Sequence, residues 1–251
     1  MRKPRRWRGV CRPGRLAAMA ARLPATLERP VYGMSQAARL LGLRTDGLRR
    51  WIDGYERAGV TYAPVIREER TGTDTITWGE FVEAGYLREY RARSVTLQYL
   101  RPVIALLRKE LGVRYPLATL KPYTSGRQLA LEVQRTVGLD PALNLVILGR
   151  DGTLQLADPA QAFVEKVDFA DDGNRDAQRL YPLGRAVPVV LDPERGFGEP
   201  TLPRGVRTET IAELVAAGEP PEHVATMYGI DVNEVHAAVD YEATSGQQSA
   251  A

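Results

Sequence analysis

The sequence predicts a mainly α-helical protein with small β elements, an α+β fold in which two helical domains flank a mixed segment. Near each end of the chain, apolar residues recur every three or four positions in short segments that stop at glycines. Between residues 113 and 200, helical periods alternate with short apolar runs typical of strands. The length of 251 residues, 44% of them hydrophobic, suits two or three small domains.

Charge is distributed unevenly along the chain, although the net charge is only +3. Residues 1–22 carry eight basic groups and no acidic one, which leaves 26 basic and 31 acidic residues in the remainder. Residues 1–30 show no packing period and are interpreted either as a flexible basic arm or as an over-long start, with initiation nearer Met19 or Met34. No apolar run approaches the roughly 20 residues that cross a bilayer. With Cys11 as the only cysteine, we expect a cytoplasmic protein without a disulfide.

Residues 34–57 have the pattern of two short helices joined by a glycine turn. Ser35 is predicted to cap the first helix, Gly42 to end it, and Thr45 to cap the second. The second helix has one apolar face, with spacings of three and four: Leu48, Trp51, Ile52 and Tyr55. Arg49 and Arg50 lie on its other face. This is the geometry of a helix-turn-helix, whose second helix enters the major groove.

The segment MSQAARLLGLRTDGLRRWI resembles the start of the MerR-type winged helix-turn-helix group. Tyr62 to Trp78 is predicted to form two strands around Thr71–Asp74, which would be the wing. TWGEFVEAGYLREYR follows as a helix with Thr77 and Glu80 as a capping box, and SVTLQYLRPVI is similar to the helices that come next in that group. The resemblance covers about residues 33–112 and implies a DNA-binding domain over 31–112.

Six residues are predicted to contact operator double-stranded DNA. Arg49 and Arg50 would contact bases or phosphates, and Gln36 and Thr45 would contact the DNA backbone. Arg67 and Arg70 would lie on the wing. The set is Gln36, Thr45, Arg49, Arg50, Arg67 and Arg70. The alternative is a small helical core whose arginines are merely solvated.

A stripe of apolar residues with spacings of three and four follows the predicted wing and is the candidate dimer interface of a homodimer. It consists of Leu97, Leu100, Ile104, Leu107 and Leu111. Pro102 either kinks this helix or lies in its first turn. The alternative is that the stripe belongs to the core of its own domain.

The mixed segment, residues 113–200, is predicted to contain two helices and several strands. The helices lie at Arg127–Thr136 and Ala160–Val164, and the strands at Asn144–Leu148, Thr153–Leu156 and Val187–Leu191. No pattern of catalytic or metal-binding residues stands out in it.

Residues 201–242 are predicted to form a third region, an acidic three-helix domain that is itself helix-turn-helix-like, followed by a disordered tail over 243–251. From Gly205 to the end, eight acidic residues accompany Arg207, the only basic one. A surface of that charge repels phosphate, so this region, called here the acidic module, is predicted to bind protein.

RGVRTETIAELVAAGEPPEHVATMYGIDVNEVHAAVDY resembles a small uncharacterised domain family found in many bacterial antitoxins. Together with the front domain, it is similar to a VapB-type antitoxin. The resemblance implies a PIN-domain (VapC-type) toxin as partner within a toxin–antitoxin hetero-oligomer, and autorepression of the operon. Glu222, Asp231 and Glu234 are the predicted protein-partner residues of the module.

Catalytic motifs are missing from the sequence, so we expect a protein that is not an enzyme and takes no cofactor or metal. There is no glycine-rich phosphate loop, no Gly-x-Ser-x-Gly and no His-Glu-x-x-His. The competing hypotheses are a ligand-responsive transcription regulator, with the mixed segment as sensor, and a scaffold that makes only protein contacts. Co-purification of a small toxin distinguishes the antitoxin from the regulator, and DNA affinity distinguishes both from the scaffold.

Overall fold

A computed structural model of the chain describes residues 25–91, 100–120, 127–138, 144–148, 154–171, 173 and 175–250. The described helices are α1 (Met34–Leu40), α2 (Thr45–Asp53), α3 (Trp78–Arg91), α4 (Leu100–Leu111), α5 (Arg127–Thr136), α6 (Asp158–Glu165), α7 (Thr208–Ala216), α8 (Pro221–Tyr228) and α9 (Val232–Ala250). The described strands are β1 (Pro30–Gly33), β2 (Tyr55–Arg57), β3 (Val60–Tyr62), β4 (Thr75–Thr77), β5 (Val146–Leu148), β6 (Leu154–Leu156), β7 (Val167–Phe169) and β8 (Ala177–Leu180). Most of the predicted basic arm, residues 1–24, lies outside the described residues.

The strands form small antiparallel pairs rather than one sheet. β1 pairs with β4, β2 with β3, β5 with β6, and β7 with β8. Helices therefore supply most of the packing surface, and the predicted α+β class is confirmed.

The larger core is built around α3, which is buried on nearly every side. Trp78, Phe81, Tyr86 and Tyr90 are all fully buried. Two of these rings are also fixed by polar groups, since the Trp78 indole N–H donates to the carbonyl of Ala177 and the Tyr90 hydroxyl to that of Asn144, each at 2.8 Å. A helix that is buried in this way must be covered by other elements on nearly every side.

The mixed segment provides that cover, and its apolar side chains share the α3 core. The predicted helices over Arg127–Thr136 and Ala160–Val164 are present as α5 and α6, and the predicted strands at 144–148 and 153–156 as β5 and β6. The predicted strand Val187–Leu191 is wrong, because this stretch makes only isolated bridges at Val190 and Leu191. The domain boundaries at residues 112 and 200 stay predictions.

A second, smaller core lies in the acidic module. Ile211 of α7, Val224 of α8 and Val235 of α9 are buried there, together with Val189 and Leu202 from the chain that leads into the module. α9 is longer than expected, because residues 243–250, predicted as a disordered tail, continue the helix to Ala250.

The predicted dimer stripe lies inside the chain's own core, so its use as a dimer interface is wrong for the residues described. Leu100, Ile104 and Leu107 are at most 1% exposed, and Leu111 packs against the same cluster. Leu97 lies outside the described residues. Side chains already buried against α5 and the 3₁₀ turn Pro116–Ala118 cannot also face a second copy, so the alternative of an intradomain core holds.

The two cores touch through α1 and the loop of residues 192–200. The Tyr32 hydroxyl donates to the carbonyl of Gly198 at 2.5 Å, and the Gln36 side-chain amide donates to the Glu199 carboxylate at 2.6 Å. α1 also packs against α9. The front helix pair is therefore in direct contact with the acidic module.

Candidate nucleic-acid interface

α1 and α2 form the predicted helix-turn-helix. Gly42, with φ +60°, adopts the left-handed conformation that ends α1, and the amide of Leu43 closes the turn on the carbonyl of Ala38 at 2.8 Å. The predicted caps are each displaced by one or two residues. α1 begins at Met34 after Gly33, and α2 begins at Thr45 after Arg44, with no side-chain cap in either case. Neither Ser35 nor Thr45 is thus an N-cap.

The buried face of α2 agrees with the predicted pattern up to its last position. Leu48 and Ile52 are fully buried and Trp51 nearly so. Tyr55 is not part of the helix, because α2 ends at Asp53 and Tyr55 begins β2. The helix is therefore anchored by one apolar face, which leaves the opposite face for solvent.

Three arginines define this outer face, called here the reading surface: Arg44, Arg49 and Arg50. Their side chains are 83%, 45% and 55% exposed. Arg44, just before the helix, was missed by the sequence argument, although the amino-terminal end of a reading helix is the part that meets base edges. Exposed guanidinium groups at that end can contact phosphates or read guanine.

Two carboxylates hold the arginines of the reading surface. Asp46 lies between Arg44 and Arg50, at 3.2 and 3.3 Å, and Asp74 pairs with Arg49 at 2.5 Å. Desolvation opposes ionisation of Asp46, but the guanidinium groups of Arg44 and Arg50 and the amide of Gly47 together outweigh it and keep the pKa of Asp46 below the ordinary value. The carboxylates orient the arginines without removing them from solvent.

A hairpin follows α2 directly and lies in the position expected of a wing. β2 and β3 are joined at Ala58 and Gly59, both with positive φ, as the tightest hairpin turns require. The rings of Tyr55 and Tyr62 stack at 4.5 Å, and the Arg50 guanidinium lies 5.5 Å from the centre of the Tyr55 ring. The hairpin is thereby attached to the reading surface.

The predicted wing around Thr71–Asp74 is wrong, because no hairpin forms there. Residues 65–74 are irregular, and β4 pairs with β1 instead. The arginine on the observed hairpin is Arg57, which is exposed at the end of β2. Arg67 and Arg70 had been predicted to lie on the hairpin instead. The Ala58–Gly59 pair, 13 residues before the Thr71–Gly72 pair of the predicted wing, was the signal that could have located this hairpin.

Arg67 does not lie on a wing but is buried, with its side chain only 7% exposed. Its guanidinium pairs with Glu80 at 2.8 Å and Asp53 at 3.1 Å, and donates to the carbonyl of Thr75 at 2.8 Å. Burial opposes the charge of Asp53, but the amides of Thr71 and Gly72 and the guanidinium of Arg67 outweigh it, so the pKa of Asp53 is lowered. Arg67 therefore ties the end of α2 to the start of α3 and is unavailable to DNA.

The remaining predicted contacts have different surroundings. Gln36 is half-buried and its amide is engaged by Glu199, which places it between the two cores. Thr45 is half-buried in the first turn of α2, and Arg70 is exposed in the loop before β4. Thr45 and Arg70 stay predicted DNA contacts.

The capping box that was predicted at the start of α3 is present, and one half of a similar arrangement is found at the start of α9. The amide of Glu80 donates to the Thr77 hydroxyl at 3.2 Å, and the amide of Thr77 donates to the Glu80 carboxylate at 3.0 Å. The amide of Asp231 donates to the carboxylate of Glu234 at 2.8 Å.

Of the predicted partner residues, Asp231 and Glu222 are exposed and Glu234 is half-buried. Within the described ranges there is no group of three or more His, Cys, Asp or Glu side chains placed to hold a metal ion. Nor does any helix of those ranges have the length and hydropathy to span a membrane.

Two family models match the chain. Residues 30–104 match a family described as a "putative DNA-binding HTH domain", and residues 189–241 match DUF433, described as a protein family of unknown function. The first match contains the reading surface and the hairpin. The second contains the whole smaller core.

Two relatives from Mycobacterium tuberculosis match over most of their length. The uncharacterised protein Rv2308 is 35% identical over 219 residues, covering 86% of this chain and 91% of the relative. The "putative antitoxin VapB45" is 30% identical over 224 residues, covering 84% and 93%. The chain belongs to the family of these two proteins. Both matches are much longer than the front domain alone, so the Rv2308–VapB45 family is defined over most of the chain.

A solved structure supports the fold of the Rv2308–VapB45 family member described here. The crystal structure of Rv2018 from M. tuberculosis superposes with a TM-score of 0.69 at 25% sequence identity, covering 86% of this chain and all of that one. The likeness extends well beyond the helix-turn-helix, which makes up less than a third of the chain.

Proposed function

We propose that this protein is a DNA-binding antitoxin that represses its own operon. The observation that carries the proposal is the reading surface, where Arg44, Arg49 and Arg50 stand exposed on a helix fixed by its opposite face. The order α1, α2, hairpin, α3 and α4 supports the MerR-like winged arrangement. Arg57 on the hairpin and Arg70 in the following loop extend the cationic surface toward the DNA backbone.

The antitoxin assignment is supported by the relative named VapB45, which matches 84% of this chain. We propose that the acidic module binds a PIN-domain ribonuclease and that this contact neutralises the toxin. Its helices are held by a core of their own, while the charge on its surface is unsuited to nucleic acid. DNA and toxin would then occupy opposite parts of the molecule.

We also propose that the protein works as a homodimer within the toxin–antitoxin complex, since operators of paired half-sites match two-fold symmetric proteins. The leucine stripe of α4 is not available for this purpose. The dimer contact must lie elsewhere on the surface.

The DNA proposal is tested by neutralising two arginines of the reading surface. The double variant Arg49→Ala, Arg50→Ala is expected to weaken binding to the promoter segment of its own operon and to lower the salt slope by up to about 2, because each lost phosphate contact removes about 0.9 from it. Fluorescence anisotropy at several salt concentrations measures both quantities.

The matched control is Arg204→Ala, Arg207→Ala, which makes the same charge change at exposed positions of the acidic module. It should bind the promoter as the parent does. Equal losses in both double variants would show that only net charge matters, and unchanged binding of the first would exclude α2 as the reading helix.

The toxin proposal is tested by co-expressing the chain with the product of the neighbouring reading frame. An antitoxin should co-purify with that product and inhibit its ribonuclease activity at equimolar ratio. Absence of a complex would remove the antitoxin assignment and leave a DNA-binding regulator.

A ligand-responsive regulator is the second candidate, because a cavity of about 590 Å³ lies beside Arg67 at the end of α2. Threonine hydroxyls and two arginines, Arg108 and Arg114, line part of it. Such a regulator would bind promoter DNA with an affinity that a small molecule changes in the absence of any protein partner.

A further inference from the structure

A groove runs along the outer face of α9, between that helix and residues 183–188. Its volume is about 580 Å³. From α9 it is lined by Asn233, Ala237, Asp240 and Thr244, whose spacings of four, three and four place them on one face, and by Glu234 and His236 beside them. The opposite wall consists of the chain that leads into the acidic module.

The groove has an apolar wall that is open to solvent. Leu183 is 48% exposed, and Val187 and Pro188 are half-buried beside it. Leu183 is one of only six large hydrophobic side chains that are exposed in the described residues. An exposed leucine next to other apolar groups, with a polar rim, is typical of a contact site for protein.

The rim of the groove is anionic. Asp231, Glu234 and Asp240 line it, and none of them forms an ion pair with any residue the structure describes. The nearest arginine in sequence, Arg185, is held away from the groove, since its guanidinium pairs with Asp168 at 2.6 Å and donates to the carbonyl of Val167 at 2.9 Å. No lysine or arginine is among the lining residues.

These features select one kind of occupant. Nucleic acid is repelled by three carboxylates. A second copy that docked the same face symmetrically would set carboxylates against carboxylates. A protein segment with apolar side chains on one face and lysines or arginines on the other satisfies both the wall and the rim.

We infer that the groove between α9 and residues 183–188 receives a cationic amphipathic segment of the protein partner. The inference rests on the proposed function for the identity of that partner, a toxin. It goes further in assigning the contact to one face of α9, with Glu234, and to Asp231 just before the helix, but not to the predicted partner residue Glu222.

The test compares two double variants of the full-length chain. Leu183→Ser, Asp240→Lys changes the wall and the rim of the groove, and Asp240 is chosen because it caps no helix. Met227→Ser, Glu213→Lys makes the same chemical changes at exposed positions of α7 and α8, outside the groove. Circular dichroism checks that both variants are folded.

Two ligands are used for each variant. The first is the product of the neighbouring reading frame. The second is a synthetic 16-residue amphipathic peptide with leucines on one face and arginines on the other, with a version carrying glutamates in place of the arginines as its control. Affinities are measured by isothermal titration calorimetry.

The groove variant is expected to lose at least about tenfold in affinity for both ligands, while the control variant stays within about twofold of the parent. The glutamate peptide should not bind. Groove substitutions that leave both affinities unchanged overturn the inference, even if the neighbouring product binds and the antitoxin assignment stands.

Failure of the antitoxin assignment can be told apart from failure of the groove assignment. If the neighbouring product fails to bind but the arginine peptide binds the parent and not the groove variant, the antitoxin assignment is wrong and the groove assignment holds. Sedimentation of the free chain supplies a further readout. A dimer that the groove substitutions dissociate would show that the groove holds a second copy, which also overturns the inference.

Discussion

Arg67 shows how the surroundings of a side chain decide its role. It lies three residues from Arg70 in a segment that is irregular, yet it is buried between Asp53 and Glu80 while Arg70 is exposed. Two carboxylates and a carbonyl satisfy its guanidinium. Removing one partner of such a cluster leaves the others charged and buried, which is costly.

The substitution Arg67→Met is therefore expected to lower the free energy of unfolding by about 3 kcal/mol, because Asp53 and Glu80 lose their counter-charge. Urea denaturation followed by circular dichroism measures the change. Arg70→Met, at an exposed position, should alter stability by less than about 0.5 kcal/mol. Equal effects of the two substitutions would contradict the buried cluster.

Glu83 of α3 is a second buried charge-bearing residue, and it lacks a full set of partners. The amide of Leu117 donates to one carboxyl oxygen at 3.0 Å, and the other oxygen has no hydrogen-bond partner among the described residues. Burial raises the pKa of Glu83 to about 8. The carboxyl is thus mainly protonated at neutral pH in the folded protein.

The folded state consequently holds this proton more tightly than the unfolded state, whose carboxyl titrates near 4.5. This difference in proton affinity stabilises the folded protein fully below pH 4.5, and the stabilisation is lost as the pH rises to about 8. Glu83→Gln should make the free energy of unfolding less dependent on pH in this range, with the variant more stable than the parent at pH 9. Parallel profiles from urea denaturation at pH 5, 7 and 9 would be the contrary result.

At the scale of elements, the junction between α2 and the hairpin determines how the hairpin is placed relative to the reading surface. The chain reverses at Gly54, where φ is +72°. A side chain at this position would collide with the backbone of residues 62–64. Only glycine combines that conformation with so close an approach.

Gly54→Ala is accordingly expected to destabilise the protein and to weaken promoter binding, because the hairpin must move away from α2. Gly59→Ala is the matched control, since Gly59 has nearly the same φ, +73°, but open space around it. It should cost only the roughly 1–2 kcal/mol of the left-handed conformation. Denaturation and anisotropy measurements on both variants test this, and a Gly59 substitution as damaging as that at Gly54 would refute the steric argument.

At the scale of the whole molecule, the loop of residues 192–200 joins the front helix pair to the acidic module. Tyr32 is buried, and burial raises the pKa of its hydroxyl well above the ordinary value, so that it donates to Gly198 at any physiological pH. Gln36 adds the bond to Glu199. β1 and α1 are therefore both hydrogen-bonded to this loop, and α1 is half of the helix-turn-helix.

Tyr32→Phe should cost about 1–2 kcal/mol, since the buried carbonyl of Gly198 loses its donor. It should also speed tryptic cleavage at Arg195, which is exposed in the same loop. Tyr62→Phe, on the exposed hairpin, keeps the stacked ring and serves as the control. A loop that is cleaved no faster in the Tyr32 variant would show that this hydrogen bond does not hold the cores together.

The sequence by itself determined the features that depend on neighbours along the chain. The two helices around Gly42, the capping box of Thr77 and Glu80, the hairpin of β5 and β6 and the helices of the acidic module all follow from periods and caps within a few residues. Net charge by region needs no structure either.

Only the tertiary structure decided which of these side chains are exposed and can contact another molecule. Arg67 and Arg70 look alike in sequence, and the leucine stripe of α4 suits a dimer as well as a core. Whether they are buried depends on partners such as Glu80 for Arg67 and α5 for the leucine stripe, which lie on other elements. Burial depends on how all the elements pack together. A local sequence pattern can therefore identify a candidate residue, but it cannot show whether other elements bury that residue.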